Sequence, residues 1–446
     1  MNTPTLPSSA PKYQTVLFHS ITAYLGQSLM QAVDLAFCRD LGSAASATVG
    51  SSTSFFAWFM ILGIGIFASL EFLIPHALGR GRETRAREYF KSGVLLIALL
   101  SLFSMGALIL LTRLAPVYGM NPEIVSSVQS FSAILSLSFL PTFLIPLLRV
   151  ELQARNRPHD TTIAFLFGNL LNAWLNWSLI YGHSGLPALG VNGSAWSNVI
   201  SRFAILAFVT YRLWQVSRAT SSAAPPLPVR WKLRIKTILR TGMPISLQMV
   251  FEIGAFIFVS TLASRLTTEE NTAHAVAISL ASFVFMIPGG MSSAAALTMS
   301  RALGEGDPKG GVKLGDRTLL IGLGFATFSS IALWILARPL LELFSTDARS
   351  IQVGVSLLHI SALFQFGDAL QVILSGCIRG FGETRIQASM NGIGHWLIGI
   401  PVGLLLSFVF DQGIQGLWIG LSAGLFAVAI LLGRHYWRIT SPHRVG

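Results

Sequence analysis

Long apolar runs separated by short polar segments dominate this chain. Each run is about 20 residues long, which is the length that an α-helix needs to cross a hydrocarbon core of roughly 30 Å. We therefore predict an all-α polytopic membrane protein with twelve transmembrane helices. The predicted spans are 15–37, 52–74, 93–114, 126–148, 160–181, 191–213, 243–265, 273–299, 318–337, 352–377, 386–409 and 415–433.

The second half of the chain repeats the first. The segment HALGRGR at 76–82 corresponds to RALGEGD at 301–307, an offset of 225 residues. The asparagine-rich segment 168–176 falls near 395–403 at a similar offset. Six spans in each half keep the two copies in the same orientation, as in parallel repeats with a pathway between them. We expect two pseudo-symmetric six-helix bundles around a central cavity.

Five parts follow from the spans and the repeat. A polar, proline-rich core at 221–228 (SSAAPPLP) predicts a tether between the two bundles. The predicted parts are a cytoplasmic N-terminal tail at 1–14, an N-lobe with spans 1–6 at 15–216, a cytoplasmic linker at 217–240, a C-lobe with spans 7–12 at 241–435, and a cytoplasmic C-terminal tail at 436–446.

Composition and charge agree with a membrane location. Of the 446 residues, 52% are hydrophobic and 11% are charged, whereas a soluble protein would have about 25% charged residues. The net charge is +12, and 25 of the 31 Lys and Arg lie on one side of the predicted spans. By the positive-inside rule that side is cytoplasmic, together with both termini. We expect a multi-pass monomer in the lipid bilayer of a bacterial inner membrane, with no nucleic-acid partner.

Two acidic residues lie deep in spans of the second half. Glu252 is in span 7 and Asp368 is in span 10, and no Lys or Arg of that half lies at their depth in the sequence. Two carboxylates in a partly dry site cannot both remain ionised without a large cost. Such a site would hold a proton, a Na⁺ ion or a substrate cation, and these would compete for it.

His395 is a third titratable group, in span 11. An imidazole there could share a proton with Asp368. The alternative is an ordinary packed histidine that is bonded to a neighbouring helix.

The first half has its own polar cluster. Asn172 and Asn176 are four residues apart and share a helix face, and the same spacing relates Asn198 and Arg202. Asp34 in span 1 has two interpretations. It could pair with Arg202, which would neutralise both groups, or it could bind a coupling cation.

Several segments together resemble the multidrug and toxic compound extrusion (MATE) transporters, and in particular the NorM-type branch. They are 168–172 (GNLLN), 285–292 (FMIPGGMS), 301–307 (RALGEGD), 376–385 (GCIRGFGETR) and 396–401 (WLIGIP). The resemblance implies two six-helix lobes, alternating access, no cofactor, and export of small organic cations or amphipathic drugs in exchange for H⁺ or Na⁺.

The resemblance also implies roles for particular residues. In NorM-type members an acid in span 7 and one in span 10 bind the coupling ion, and Glu252 and Asp368 occupy those positions. Other branches use an acid in span 1 with an asparagine and an aspartate in span 5. Asp34 and Asn172 match the first two, and Asn176 replaces the acid. The predicted coupling residues are therefore Glu252, Asp368 and Asp34, with H⁺ or Na⁺ as the ion, and the polar cavity residues are Gln248, Gln371, His395, Asn172, Asn176, Asn198 and Arg202.

A lipid-linked precursor flippase or a dedicated metabolite exporter of the same superfamily remains the alternative. The sequence contains no His-Glu-x-x-His or Walker arrangement, and its single Gly-x-Ser-x-Gly match, at 420–424, lies within the apolar span 415–433 rather than at the strand-to-helix turn that a catalytic serine needs. We therefore expect neither an enzyme nor an ATP-driven pump.

Overall fold

The computed structural model describes residues 13–219, 230–344 and 347–444. Every regular element in these ranges is helical, so the predicted all-α class is confirmed. Parts of the predicted N-terminal tail, linker and C-terminal tail lie outside the described residues. The ranges outside are 1–12, 220–229, 345–346 and 445–446.

Twelve long helices occupy the positions of the twelve predicted spans. Eleven of them are long and apolar enough to cross a membrane, and α1, with 27 residues, is also long enough but more polar. The helices are α1 (Tyr13–Arg39), α2 (Ser43–Gly79), α3 (Glu83–Arg113), α4 (Pro122–Ala154), α5 (Pro158–Tyr181), α6 (Val191–Arg218), α7 (Trp231–Ala263), α8 (Thr268–Glu305), α9 (Pro308–Ile335), α10 (Ala348–Gly380), α11 (Arg385–Val409) and α12 (Gly413–His443).

Several helices are longer than the apolar runs that predicted them. Helix α7 begins at Trp231, inside the stretch predicted as linker, and its first turns carry Lys232, Arg234 and Lys236. Basic side chains of this kind have long apolar stems, which let the charged head reach water while the stem covers apolar surface. A hydropathy pattern therefore marks the apolar centre of such a helix but not its ends.

The chain divides into two compact units, Met1–Leu239 and Arg240–Gly446. Helices α1 to α6 belong to the first unit. Helix α7 begins in the first unit and continues into the second, which also contains α8 to α12. The starts of corresponding helices keep a nearly constant offset, for example Glu83 and Pro308 for α3 and α9.

Each unit has its own apolar core. In the first unit Met30 of α1, Leu152 of α4 and Ile205 of α6 belong to one buried cluster. In the second unit the cluster includes Leu357 of α10 and Trp418 of α12, whose side chain is fully buried. These cores hold the helices that carry the polar residues described below.

Helix α11 departs from regular α-helical geometry. Residues Gly392–Gly399 and Leu405–Val409 are π-helical, with a short α-helical segment, Ile400–Leu404, between them. π-helical segments are rare and occur frequently at functional sites. The first of these segments contains His395.

Small residues bring α11 and α12 close together. A Cβ atom built on Gly399 would lie 3.0 Å from the backbone oxygen of Gly420, and one on Gly424 would lie 3.1 Å from the oxygen of Gly394. Contacts of this kind let helix backbones approach each other in a membrane, where van der Waals packing is a main source of helix association. The glycines therefore fix where α11 lies against α12.

Candidate functional site

Glu252 and Asp368 come together within the second unit. Glu252 is 9% exposed and Asp368 is 4% exposed. The amide Nε2 of Gln371 donates a hydrogen bond of 2.6 Å to Glu252 Oε1. Asp368 lies one turn before Gln371 on α10 and interacts electrostatically with Glu252. The acids predicted from spans 7 and 10 therefore form one buried group, with Gln371 between the helices.

An arginine also contributes to this group. Arg379, two turns beyond Gln371 on α10, interacts electrostatically with Glu252. Its Nη2 donates to Ser292 Oγ at 3.1 Å, and its side chain is buried. The sequence had placed no Lys or Arg at the depth of the two acids, so this longer-range interaction was missed.

Gln248 extends the polar group along α7. It lies one turn before Glu252, and its Nε2 donates to Ser375 Oγ on α10 at 3.2 Å. Both Gln248 and Gln371 are buried. The two glutamines predicted as cavity residues therefore both connect α7 and α10. Gln248 donates from α7 to α10, and Gln371 donates from α10 to α7.

Asp34 is surrounded by amide groups in the first unit. Asn172 and Asn176 of α5 donate to Asp34 Oδ1 at 3.0 and 2.8 Å, and Asn198 of α6 donates to Oδ2 at 2.6 Å. All four side chains are buried. The four residues, which we call the Asp34 cluster, bring together α1, α5 and α6.

Arg202 does not form a direct ion pair with Asp34 among the described residues. It donates a hydrogen bond to Thr142, and its guanidinium carbon lies 5.7 Å from the centre of the Phe56 ring. Its interaction with Asp34 is electrostatic and acts over a longer distance. The partners that contact the Asp34 carboxylate are asparagines.

The asparagines of the cluster also present oxygen atoms. The Oδ1 atoms of Asn172, Asn176 and Asn198 are buried and have no hydrogen-bond partner among the described residues. A carboxylate with several amide oxygens offers the oxygen ligands that a hard cation prefers. The Asp34 cluster is thus a second group with the chemistry to hold a cation.

His395 is buried in the second unit and makes no hydrogen bond to Glu252 or Asp368 in the described part of the chain. Its side chain is 1% exposed, its ring centre is 6.3 Å from that of Phe256, and neither ring nitrogen has a hydrogen-bond partner in the described ranges. Neither a direct hydrogen bond to Asp368 nor a hydrogen bond to a neighbouring helix is present for His395 among the described residues.

Several polar pairs were not predicted from the sequence. Glu71 accepts a hydrogen bond of 3.0 Å from Arg149, and both side chains are buried. His274 accepts from the indole nitrogen of Trp418 at 3.1 Å through Nδ1, and its Nε2 lies 2.8 Å from Ser260 Oγ. Charged or titratable residues inside apolar runs were the only signal available for these groups, and that signal does not name a partner.

The chain matches a known family over most of its length. The family model MatE matches residues 20–178 and 244–405. The chain belongs to the MatE family. It is therefore a multi-pass membrane transporter of the MATE type and not an enzyme, and the predicted family is confirmed.

This MATE transporter has curated relatives of nearly equal length. It is 30% identical over 425 residues to the probable multidrug resistance protein NorM of Brucella suis, covering 92% of this chain and 88% of that protein. It is 29% identical over 430 residues to the multidrug resistance protein NorM of Vibrio vulnificus, covering 94% and 93%.

Solved MATE structures share its fold. The crystal structure of the eukaryotic MATE transporter AtDTX14 superposes with a TM-score of 0.86 at 20% identity, covering 97% of each chain. An outward-facing multidrug resistance MATE family transporter gives a TM-score of 0.88 at 18% identity over 100% of each chain. At these identities the likeness concerns the fold of the MATE transporter.

Proposed function

We propose that this MATE transporter is a secondary active multidrug efflux antiporter. It exports cationic or amphipathic organic compounds by alternating access and takes up H⁺ or Na⁺ in exchange. The NorM names of its curated relatives support the substrate class. The observation on which the exchange mechanism rests is the buried pair of acids, Glu252 and Asp368, joined through Gln371.

The two acids have the chemistry for exchange. Both are buried, and their mutual repulsion disfavours the state in which both are ionised. One bound proton removes that repulsion, and so does a bound organic cation. Because the proton and the organic cation neutralise the same charge, they compete for the pair of acids. This competition couples the movement of one to the movement of the other in the opposite direction.

The amide of Gln371 can form a hydrogen bond with Glu252 in either protonation state of the carboxyl group. An ionised carboxylate only accepts hydrogen bonds, so it requires the amide NH₂ of Gln371 to face it, as observed at 2.6 Å. A protonated Glu252 can instead donate to the amide oxygen. We propose that the pair binds H⁺ and that Gln371 positions the carboxyl group of Glu252 in both states.

We further propose that the Asp34 cluster binds Na⁺. Its support is the carboxylate of Asp34 and the unpartnered oxygens of Asn172, Asn176 and Asn198 within the described residues. Rotation of an amide exchanges its NH₂ and oxygen, which would turn an oxygen ligand toward a cation beside Asp34. Asn176 thereby takes the place of the second acid found in other branches.

Transport under separately imposed gradients tests both assignments. Purified protein in proteoliposomes should export a fluorescent organic cation when either a pH or a Na⁺ gradient is applied. We expect Glu252→Gln and Asp368→Asn to lower the pH-driven rate by about tenfold or more, which corresponds to a barrier increase of at least ~1.4 kcal/mol. Asp34→Asn should lower the Na⁺-driven rate selectively.

Glu342→Gln is the matched control, because this acid is 51% exposed and pairs with Arg338 on the surface. It should transport like the wild type. Wild-type rates for both Glu252→Gln and Asp368→Asn would contradict the proposed exchange site.

We also propose a monomer in the bacterial inner membrane with both termini in the cytoplasm. The bias of Lys and Arg toward one side of the spans supports this orientation. A fluorescent protein that folds only in the cytoplasm should be fluorescent when it is fused after Gly446. Light scattering in detergent should give the mass of a single 48.2 kDa chain plus micelle. If the fluorescent fusion is dark and an enzyme that is active only in the periplasm is active when fused at the same position, the proposed orientation is wrong.

A further inference from the structure

A surface cavity of the second unit lies next to a series of buried polar side chains. The cavity has a volume of about 370 Å³, and Arg240, Glu383 and Arg385 are among the residues that line it. Arg240 is on α7, about two turns before Gln248, and Arg385 begins α11. These basic residues lie on the side of the protein that the charge pattern predicts to be cytoplasmic.

Gln387 is the first buried residue beyond the cavity. It follows the lining residue Ile386, and its side chain is fully buried. Its Nε2 donates to the backbone oxygens of Ser375 and Glu383 at 3.0 and 3.1 Å. Since carbonyl oxygens only accept hydrogen bonds, the orientation of this amide is fixed. Its Oε1 is buried and has no partner in the described ranges.

Ser375 links Gln387 to the acids. Its backbone oxygen accepts from Gln387, and its hydroxyl accepts from Gln248 at 3.2 Å. Gln248 lies one turn before Glu252 on α7. The Oε1 atoms of Gln248 and Gln371 are also buried without a partner among the residues described. Three glutamine oxygens are therefore unpartnered along one stretch that ends at Glu252.

Buried oxygens without a hydrogen-bond partner destabilise a protein unless water bonds to them. A buried acceptor without a partner costs about 1–3 kcal/mol, and proteins meet this requirement with ordered water that makes about three hydrogen bonds. Gln387, Ser375 and Gln248 are polar groups with which such waters could form hydrogen bonds. Hydrogen-bonded water also conducts protons, because each molecule accepts one proton and releases another.

We infer that Gln387, Ser375 and Gln248 line a water-containing proton path between Glu252 and the cavity at Arg240 and Arg385. A proton leaves the Glu252 carboxyl group for the first water, and the last water releases a proton into the cavity, so that Glu252 becomes ionised. The inference rests on the proposed exchange of protons at Glu252 and Asp368. It adds a route for the proton that is built from side chains of the second unit alone.

Replacement of Gln387 tests the path. Gln387→Leu keeps a similar side-chain volume but removes both polar groups. In proteoliposomes with a trapped pH dye, we expect proton movement after addition of a fluorescent organic cation to slow about tenfold, equivalent to ~1.4 kcal/mol. The equilibrium affinity for the same cation should not change, which separates a slow proton path from a damaged structure.

Gln365→Leu is the matched control. Gln365 is also a buried glutamine, but it belongs to α10 and lies on the other side of Asp368 from Ser375. It should move protons at the wild-type rate. An unchanged proton rate in Gln387→Leu, or equal slowing in Gln365→Leu, would overturn the path.

A second measurement does not require Gln387→Leu to fold. In a protein in which Cys38 and Cys377 are replaced by serine, Ser375→Cys should be inhibited by silver ions added on the Arg385 side. Resistance to silver ions would also overturn the path. If the wild type shows no ion-driven export at all, the proposed function fails. If it shows such export and either of these tests is negative, the path alone fails.

Discussion

Burying an asparagine is expensive at the scale of a single residue, because its amide has two N–H donors and an oxygen that all lose water. The first unit nevertheless buries three asparagines around Asp34, and each of them donates to its carboxylate. Hydrogen bonds to a charged group are worth about 1.5–3 kcal/mol. The Asp34 carboxylate therefore stabilises the three buried asparagines, and the asparagines stabilise the buried carboxylate.

This mutual dependence can be measured with a double-mutant cycle on Asp34 and Asn198, which are joined by a hydrogen bond of 2.6 Å. We expect Asn198→Ala to destabilise the protein by about 1.5–3 kcal/mol in the wild type. In an Asp34→Asn background the same change should cost much less, because the acceptor is no longer charged. The measurement is the free energy of unfolding in mixed detergent. Additive effects of the two changes would contradict a direct interaction.

At the scale of helices, His395 lies beside the contact between α11 and α12, where a Cβ atom on Gly424 would be 3.3 Å from its Nδ1. Gly399 and Gly424 let the two backbones approach each other, and His395 lies within the π-helical segment Gly392–Gly399. Its ring packs against Phe256. A regular α-helix drawn from the sequence does not include this π-helical geometry, so it does not predict the direction in which His395 points.

Two glycine substitutions test the importance of this contact. Gly420→Ala places a Cβ atom against the backbone of Gly403, which cannot move as a flexible side chain could. We expect a loss of about 1–3 kcal/mol in stability, the usual cost of overpacking. The control is Gly324→Ala on α9, where a Cβ atom meets nothing within 4 Å. Its stability should be equal to the wild type or higher by about 0.5–1 kcal/mol.

Thermal unfolding in detergent distinguishes the two variants. A lower melting temperature for Gly420→Ala and an unchanged or higher one for Gly324→Ala is the expected result. Equal melting temperatures would mean that α11 and α12 have room to separate.

For the whole molecule, the energy available to transport depends on how many ions bind in each cycle. One proton that enters down ~100 mV and one pH unit releases about 2.3 plus 1.4 kcal/mol. Exchange of one proton for one monovalent cation moves no net charge, so only the ~1.4 kcal/mol remains, which supports a tenfold gradient. Binding of a second ion would add the membrane potential to the driving force.

We expect two coupling ions for each monovalent cation, because the chain has both an acid pair and the Asp34 cluster. The reversal potential of transport in proteoliposomes measures this ratio. Asp34→Asn should shift the reversal potential toward electroneutral exchange and leave one ion per cycle. A ratio of one in the wild type would contradict two-ion coupling.

The helices and the burial of the two acids were predictable from the sequence, whereas the partners of the buried polar groups were not. Apolar runs and their spacing predicted twelve helices, and the depth of Glu252 and Asp368 predicted that both acids are buried. The contact of Asn198 with Asp34 was not predictable in its geometry, since these residues are 164 positions apart. Arg202 was an equally good candidate by spacing, yet it donates to Thr142. Local pattern reports which face a residue occupies, whereas the choice of partner depends on how helices pack.

The two units repeat one order of helices but hold their acids differently. In the first, a single carboxylate is ringed by three amides, and in the second, two carboxylates share one glutamine. If each arrangement selects its own ion as proposed, a pH gradient and a Na⁺ gradient act on the same transport cycle, and a steep gradient of one ion compensates for a shallow gradient of the other.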